Sequence, residues 1–308
     1  MRPAPIPVPA DESAPYRVSE ERMRQAIEGG EFEVQYQPVV DGLTGRIMSA
    51  EALLRWNDPD RGTLSPSSFL TLAEDTGLIV AIGEQVLRDA CTAVVKWRAI
   101  TGAASMRVAV NVSAVQLRER DFAHQVATVL EETGCPANAL TLELTENSML
   151  VDGEIAIETL RILKALGIRL VVDDFGVGYS SMTFVKEAPV DGIKLDRRFV
   201  TTMLNDASDL AIVASMVRLA QGLRLDVIAE GVESAEHASR LARLQCFSQQ
   251  GRHWSEPVDA SEISAKLRRP LPPATDVIDD LAAPEVEVPL RTWRTRSATP
   301  GTGSARIT

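Results

Sequence analysis

The chain has 308 residues, of which 45% are hydrophobic and 24% charged, as in globular proteins of one large domain or two small ones. Its formal net charge of −11 argues against a groove for long nucleic acid, because such a groove needs a basic surface. No apolar stretch is long enough to span a bilayer, and the opening residues lack the apolar core of a signal peptide. Its three widely spaced cysteines indicate neither a disulfide framework nor a zinc cluster, so we expect a cytoplasmic protein.

The two ends of the chain differ in composition from its middle. Residues 1–16 and 270–308 are rich in proline, alanine, threonine and serine and show no sustained periodicity, so we expect both to be disordered tails. Residues 17–269 alternate short apolar runs with amphipathic helical patterns. This alternation predicts a single domain of the α/β class.

Apolar runs at eight places predict strands. Helical patterns lie between most of them, including one that should end at Gly167 and another that should end at Gly222. Strands and helices that alternate through short links favour parallel pairing, and about eight strands in some 250 residues suit a (β/α)₈ TIM-like barrel. The predicted strands are residues 33–40, 48–56, 107–113, 140–146, 169–175, 192–197, 226–232 and, more weakly, 246–251.

The first two predicted strands are joined by residues 41–45, which read DGLTG and have the composition of a tight turn. A link this short favours a hairpin, because a parallel pair needs a long crossover connection. We therefore expect one antiparallel strand near the N-terminus of the barrel.

Polar residues collect where the predicted strands end, which is the edge at which active sites of such barrels lie. Any single one of them could instead cap a helix or lie in a solvated loop. The set comprises Glu51, Asn111, Glu143, Glu146, Asp173, Asp174, Lys194, Asp196, Glu230, Glu233 and Gln250.

Several of these acids interrupt apolar runs, as Glu51 and Glu143 do, and should be buried. Buried carboxylates that converge on one site repel each other strongly, and a single lysine does not neutralise them. Oxygen donors without cysteine or histidine favour magnesium or manganese over zinc. The adjacent Asp173 and Asp174 can serve two neighbouring ions, and two metals about 3.5–4 Å apart are a common device for phosphoryl hydrolysis. The residues therefore predict a phosphodiesterase or phosphatase.

Eight short motifs follow one another between about residue 17 and about residue 269. They are YQP at 36–38, EAL at 51–53, NVS at 111–113, ELTE at 143–146, DDFG at 173–176, KLDR at 194–197, AEGVE at 229–233 and QG at 250–251. Together and in this order, they resemble the signature of the EAL-domain family of cyclic di-GMP phosphodiesterases.

This resemblance implies a barrel that hydrolyses cyclic di-GMP to linear pGpG with two Mg²⁺ or Mn²⁺ ions. It implies that Lys194 positions the attacking water and stabilises charge on the phosphate, and that Gln250 orders the metal-bound water. Glu51, Lys194, Glu230 and Gln250 are accordingly the expected catalytic residues. The implied metal ligands are Glu51, Asn111, Glu143 and Asp173 for the first ion and Asp173, Asp174 and Glu230 for the second.

Further roles follow from the same resemblance. Gln37 and Arg55 match positions that contact the dinucleotide, and a guanidinium is suited to a phosphate or a guanine edge. Glu146 matches a glutamate that anchors the loop after Asp174, and Glu233 matches one that supports the site. The resemblance also implies a homodimer, with a regulatory protein as a further partner.

Two departures from the family pattern keep other interpretations open. Val177 stands where the family usually has threonine, and residues 252–254, Arg-His-Trp, follow the QG motif where an aromatic residue is common. The alternative is a catalytically weak or inactive EAL domain that acts as a cyclic di-GMP receptor. A Schiff-base aldolase that uses Lys194 is a second enzyme class for a barrel of this kind.

Overall fold

The computed structural model describes residues 18–100, 102–145, 148, 153–176, 189–269 and 271–273. Strands β1 to β9 of this part are Phe32–Asp41, Ile47–Asp58, Gly62–Leu64, Arg107–Val112, Leu140–Thr145, Arg169–Phe175, Gly192–Leu195, Asp226–Ala229 and Ser248–Gln250. Helices α1 to α10 of this part are Glu20–Glu28, Leu70–Asp75, Ile79–Arg98, Ala114–Arg118, Phe122–Thr133, Gly153–Ala165, Arg197–Thr202, Ala207–Leu223, Ala235–Arg243 and Ala260–Leu267.

Eight strands close into a barrel. Strands β2, β4, β5, β6, β7, β8 and β9 pair in parallel in that order. Strand β1 completes the ring, because it pairs antiparallel with both β2 and β9, while the short β3 extends β2 outside the ring. The predicted (β/α)₈ TIM-like barrel with one antiparallel strand near the N-terminus is confirmed.

The turn between β1 and β2 explains the antiparallel strand. The side chain of Asp41 accepts hydrogen bonds from the backbone N–H groups of Leu43 at 2.9 Å and Thr44 at 3.2 Å. Gly45 has a φ of +68°, which glycine adopts without the steric cost of a side chain. The chain therefore reverses within a few residues and leaves no room for a crossover helix.

Strands β7 and β8 end two and three residues earlier than the sequence predicts. Strand β7 ends at Leu195, because Asp196 caps the next helix by accepting a hydrogen bond from the backbone N–H of Arg198. Strand β8 ends at Ala229, and Gly231 has a φ of +71°. Glu230 and Glu233 therefore lie on the loop that follows β8 and not on the strand.

The sequence predicted the end of helix α6 correctly and the end of helix α8 one residue too early. Helix α6 ends at Ala165, and Gly167 has a φ of +93°, as its predicted stop requires. Helix α8 continues past Gly222, where we predicted its end, and stops one residue later, because Arg224 takes the left-handed conformation at φ +61°. Among the described residues, no helix combines the length and the apolar character that a membrane crossing requires.

The barrel strands place charged side chains inside by alternation. Side chains of a strand point to its two faces in turn, so the apolar neighbours of Glu51, Glu143 and Lys194 pack toward the helices while the charged groups face the interior. These neighbours, all of them buried, are Ala50, Ala52, Leu142, Leu144, Ile193 and Leu195.

The predicted domain limits at residues 17 and 269 stay predictions. Residues 1–16, 270 and 274–308 of the predicted tails lie outside the described residues. Just beyond the predicted limit, the backbone N–H of Leu271 donates a hydrogen bond to the carbonyl of Gly45 at 3.1 Å.

Candidate active site

Lys194 lies at the centre of a cluster of carboxylates at the C-terminal ends of the strands. Its Nζ is 2.5 Å from Glu230 Oε1, 2.8 Å from Glu143 Oε2, 3.1 Å from Glu51 Oε2 and 3.5 Å from Asp173 Oδ1. The side chains of Lys194 and Glu143 are each 1% exposed. The structure therefore brings together five of the predicted site residues, from β2, β5, β6, β7 and the loop after β8.

Amide groups fix the orientation of Glu51. Asn111 Nδ2 donates to Glu51 Oε1 at 2.7 Å, and Gln250 Nε2 donates to Glu51 Oε2 at 2.7 Å. Gln250 Nε2 also lies 3.1 Å from Gln37 Oε1, and Gln37 Nε2 donates to the carbonyl of Ser255 at 3.1 Å. Three more predicted residues thus join the cluster through a hydrogen-bond network that spans β1, β2, β4 and β9.

The charges of the cluster shift the pKa values of its members. Burial raises the pKa of Glu51, but the charge of Lys194 and hydrogen bonds from Gln250 and Asn111 outweigh burial and lower it. Burial raises the pKa of Glu143 well above its usual range. Burial alone would lower the pKa of Lys194, yet the surrounding carboxylates raise it well above normal. Lys194 therefore stays an ammonium group, which argues against Schiff-base chemistry at this position.

The backbone is irregular at the adjacent residues Asp173 and Asp174. Neighbouring side chains of a regular strand point to opposite faces. Here the pairing of β6 with β7 shifts between Val172 and Phe175, and Asp174 has a φ of +54°. The backbone N–H of Asp174 donates to Asp173 Oδ1 at 2.9 Å. Burial and then repulsion from Asp173 and Asp196 raise the pKa of Asp174. In the described structure Asp173 contacts Lys194 and lines the cavity, whereas Asp174 is exposed and does neither.

An open cavity of about 980 Å³ lies over the cluster, near the upper end of the usual size of small-ligand pockets. Glu51, Asp173 and Glu230 reach it from below. Its rim is polar and carries four arginines. Lining residues include Gln35, Gln37, Glu51, Arg55, Asp173, Arg197, Arg198, Glu230, Glu233, Gln250, Arg252 and Glu256.

The remaining predicted residues divide into three cases. Arg55 lines the cavity and is held by Gln35 Oε1 at 3.1 Å from its Nε and by the carbonyl of Leu54 at 2.9 Å from its Nη1. Glu233 also lines the cavity. Glu146 and Val177 lie outside the described residues.

Sequence reasoning missed part of the rim. Arg197 and Arg198 directly follow the KLD residues at a strand end, and this position was the signal that could have identified them. Glu256 carried no such signal. Trp254, which follows the QG motif, is 5% exposed and packs in the core, so Arg252 is the side chain of that segment that reaches the cavity.

The donor set fits a divalent cation. Glu51, Glu143 and Asp173 each offer an oxygen, and these oxygens lie within 4.8 Å of one another. Gln250 Oε1 is buried and has no hydrogen-bond partner in the described part of the chain. Four carboxylates share one ammonium group, so the cluster retains excess negative charge. Carboxylate and amide oxygens are the ligands that Mg²⁺ and Mn²⁺ prefer.

We expect the metal-free protein to lose stability as the pH rises from about 4.5 to about 7. Burial, with repulsion from Asp173 and Glu51, raises the pKa of Glu230 from 4.5 to about 7 despite the charge of Lys194. The folded state therefore binds more protons than the unfolded state in this window, and the stabilisation is lost as pH passes the folded pKa. A divalent cation binds the deprotonated form, so Mn²⁺ should raise the melting temperature more at pH 7.5 than at pH 5.5.

Thermal unfolding with EDTA and with Mn²⁺ at both pH values measures this difference. Glu230→Gln, which does not titrate, should reduce the pH dependence of the metal-free protein, and Glu74→Ala on the exposed surface of α2 should leave it unchanged. An equal Mn²⁺ effect at the two pH values would contradict the prediction.

In a comparison with known protein families, residues 20–257 match the model described as the EAL domain. Among curated proteins, the chain is 38% identical over 245 residues to the bifunctional diguanylate cyclase/cyclic di-GMP phosphodiesterase MucR of Pseudomonas aeruginosa. That match covers 80% of this chain and 36% of MucR. The chain spans about a third of the length of several of its curated relatives.

Two solved structures show the same architecture. The phosphodiesterase PaMucR in complex with c-di-GMP matches with a TM-score of 0.74 and 38% identity, over 79% of this chain and 98% of that one. The EAL enzyme Bd1971, in the form with cAMP and cyclic di-GMP bound, matches with a TM-score of 0.77 and 32% identity, over 80% of this chain and 68% of that one.

Proposed function

The chain belongs to the EAL domain family, and from this premise we propose that it is a phosphodiesterase that hydrolyses cyclic di-GMP to linear pGpG in a metal-dependent reaction. The observation that carries the proposal is the cluster of four carboxylates around Lys194, which opens into a cavity of about 980 Å³. MucR is a bifunctional diguanylate cyclase/cyclic di-GMP phosphodiesterase, and Bd1971 is an EAL enzyme solved with cyclic di-GMP bound. Both similarities support the same ligand for this chain.

The carboxylates and the asparagine would hold two divalent cations, Mg²⁺ or Mn²⁺. When bound, such cations neutralise charge on the phosphate and make a water molecule more acidic. In this proposal, Glu51, Asn111, Glu143 and Asp173 are the ligands of one cation, and Asp173, Asp174 and Glu230 are those of the other.

The remaining residues of the site position groups for the reaction. The ammonium of Lys194 stays charged and donates hydrogen bonds, so it is suited to orient the attacking water and to stabilise negative charge on a phosphate oxygen. Gln250 and Asn111 hold Glu51 in one orientation. Gln37 and Arg55 lie on the cavity wall and are proposed to contact the dinucleotide, with Glu146 and Glu233 supporting the site.

Four wider expectations also belong to the proposal. We propose that residues 17–269 form the functional domain, that it works as a homodimer, that a regulatory protein is a further partner, and that it acts in the cytoplasm. On the outer face of α6 and just after its end, Ile155, Ile162 and Leu166 are each more than 40% exposed, and an apolar stripe of this kind is typical of a protein contact surface. The three buried cysteines are unpaired, which suits a reducing compartment.

A chromatographic assay of the purified protein with cyclic di-GMP tests the proposal. We expect linear pGpG to form with Mg²⁺ or Mn²⁺ and not with EDTA. If the cyclic dinucleotide stays intact with both metals but binds in a titration, the protein is a receptor and the proposed hydrolysis is wrong. If it neither binds nor is cleaved, the proposed ligand is wrong as well.

A further inference from the structure

An ion pair lies on the rim of the active-site cavity, at the end of β9. Arg252 Nε is 3.2 Å from Glu256 Oε1, and the two side chains are 71% and 64% exposed. Both residues line the same cavity as Glu51 and Glu230. The rim pair, Arg252 and Glu256, therefore faces the space above the carboxylate cluster and plays no part in the cluster itself.

The backbone beneath the rim pair is fixed. The N–H groups of Trp254 and Ser255 both donate to the carbonyl of Gly251 at 3.1 Å, and the indole of Trp254 is buried. The carbonyl of Ser255 accepts a hydrogen bond from Gln37, which the network above links to Glu51. A turn held by these hydrogen bonds thus presents two exposed, oppositely charged side chains to the cavity.

The other arginines of the rim are placed differently. Arg55 donates hydrogen bonds to Gln35 and to a backbone carbonyl. Arg198 lies 3.3 Å from Asp196 at the start of its own helix. Arg197 lines the cavity and has no ion-pair partner among the described residues. Arg252 alone among these four is paired with a carboxylate that also lines the cavity.

An exposed ion pair of this kind contributes little to stability, so it separates easily. A guanidinium matches the oxygens of a phosphate at least as well as those of a carboxylate. A cyclic dinucleotide carries two phosphodiesters on opposite sides of its ring, so when one lies over the carboxylate cluster the other lies away from it. That second negative group needs a positive partner on the rim.

Given the proposed function, we propose that Arg252 binds the second phosphodiester of the cyclic dinucleotide and that Glu256 competes with the substrate for Arg252. The two residues of the pair then set substrate affinity in opposite directions. Arg252 is a specificity residue that favours substrates with two phosphodiesters over those with one. Glu256 weakens that preference, because its carboxylate must be displaced before the phosphate binds.

Four variants test this assignment: Arg252→Ala, Glu256→Gln, the double variant, and Arg218→Ala on the outer surface of α8 as the control. Arg252→Ala should raise KM for cyclic di-GMP about 10-fold, the loss of one charge-assisted hydrogen bond, with kcat changed less than about twofold. Glu256→Gln should lower KM about 2- to 4-fold, since the competing carboxylate is gone. In the Arg252→Ala background, Glu256→Gln should have a clearly smaller effect.

Two further substrates separate this role from a structural one. Bis(p-nitrophenyl) phosphate has a single phosphodiester, so its kcat/KM should respond to Arg252→Ala less than about twofold. Cyclic di-AMP has both phosphodiesters but lacks the guanine oxygen. If Arg252 binds a phosphodiester, Arg252→Ala should raise the inhibition constant of cyclic di-AMP, used as a competitor, by the same factor as KM for cyclic di-GMP. A change for cyclic di-GMP alone would assign Arg252 to the guanine edge and overturn the phosphate assignment.

Shifts of KM in the same direction for Arg252→Ala and Glu256→Gln would also overturn the proposal. If the pair only supported the structure of the rim, loss of either partner would change substrate affinity in the same way. A titration of cyclic di-GMP in EDTA measures the same affinities without turnover. If the wild-type protein binds but does not cleave, the proposed function fails while the rim pair is still tested by these dissociation constants.

Discussion

Replacing Glu51 by alanine is expected to lower the turnover of cyclic di-GMP by about three orders of magnitude. Glu51 is held by Asn111, Gln250 and Lys194, and its two oxygens have fixed directions. Its loss removes a proposed cation ligand and disconnects the hydrogen-bond network. A loss of about 4 kcal/mol of transition-state stabilisation corresponds to about a thousandfold in rate.

Steady-state kinetics with Mn²⁺ measure the loss, and calorimetric titration of Mn²⁺ shows whether cation binding weakens with it. Glu74→Ala, on the surface of α2, is the control for removal of one glutamate and should retain wild-type activity. If Glu51→Ala folds normally and keeps more than about a tenth of wild-type turnover, Glu51 is not an essential ligand and the proposed site is wrong.

Replacing Lys194 by methionine is expected to destabilise the metal-free protein strongly and to reduce turnover. Lys194 is 1% exposed and is the one cation that contacts Glu51, Glu143, Asp173 and Glu230 in the described structure. Removal of one partner of a buried ion pair costs about 3–5 kcal/mol, because the other charge is left unpaired. At about 2–4 °C per kcal/mol, the melting temperature should fall by about 10 °C.

The metal response separates this effect from a simple packing defect. Mn²⁺ supplies the missing positive charge, so it should raise the melting temperature of the variant more than that of the wild type. Lowering the pH should also reduce the difference in melting temperature between the variant and the wild type, because protonation of the carboxylates removes their repulsion. Lys266→Met is the matched control, because it removes a lysine that is 24% exposed and paired with the exposed Glu262, and it should change neither the melting temperature nor its response to Mn²⁺ by much. A variant that melts like the wild type in EDTA would refute the role assigned to Lys194.

Much of the site was predictable because its residues are marked by local pattern. A charged residue between buried apolar neighbours, as at Glu51, Glu143 and Lys194, must face the interior of a barrel, since side chains of a strand alternate. The antiparallel strand was predictable from an equally local feature, the DGLTG turn at residues 41–45. This link is too short for the crossover that a parallel pair needs.

Other features depend on packing between distant segments, and pattern could not reveal them. Helix α8 passes Gly222 and ends at Leu223, because a helix end is decided by its packing as well as by its own residues. The pairing of β6 with β7 shifts between Val172 and Phe175, and Asp174 takes a positive φ, and two adjacent aspartates in a sequence do not indicate either feature.

The sequence by itself determined the fold class, the family and the strand-end residues that approach one another, because these follow from periodicity and from the order of motifs along the chain. Only the tertiary structure decided that Lys194 is shared by four carboxylates and that Arg252 is paired with Glu256 over the cavity. The physical reason is that electrostatic pairing depends on distances of a few ångströms between side chains. Those distances are set only when the barrel closes and brings strands far apart in sequence to a common edge.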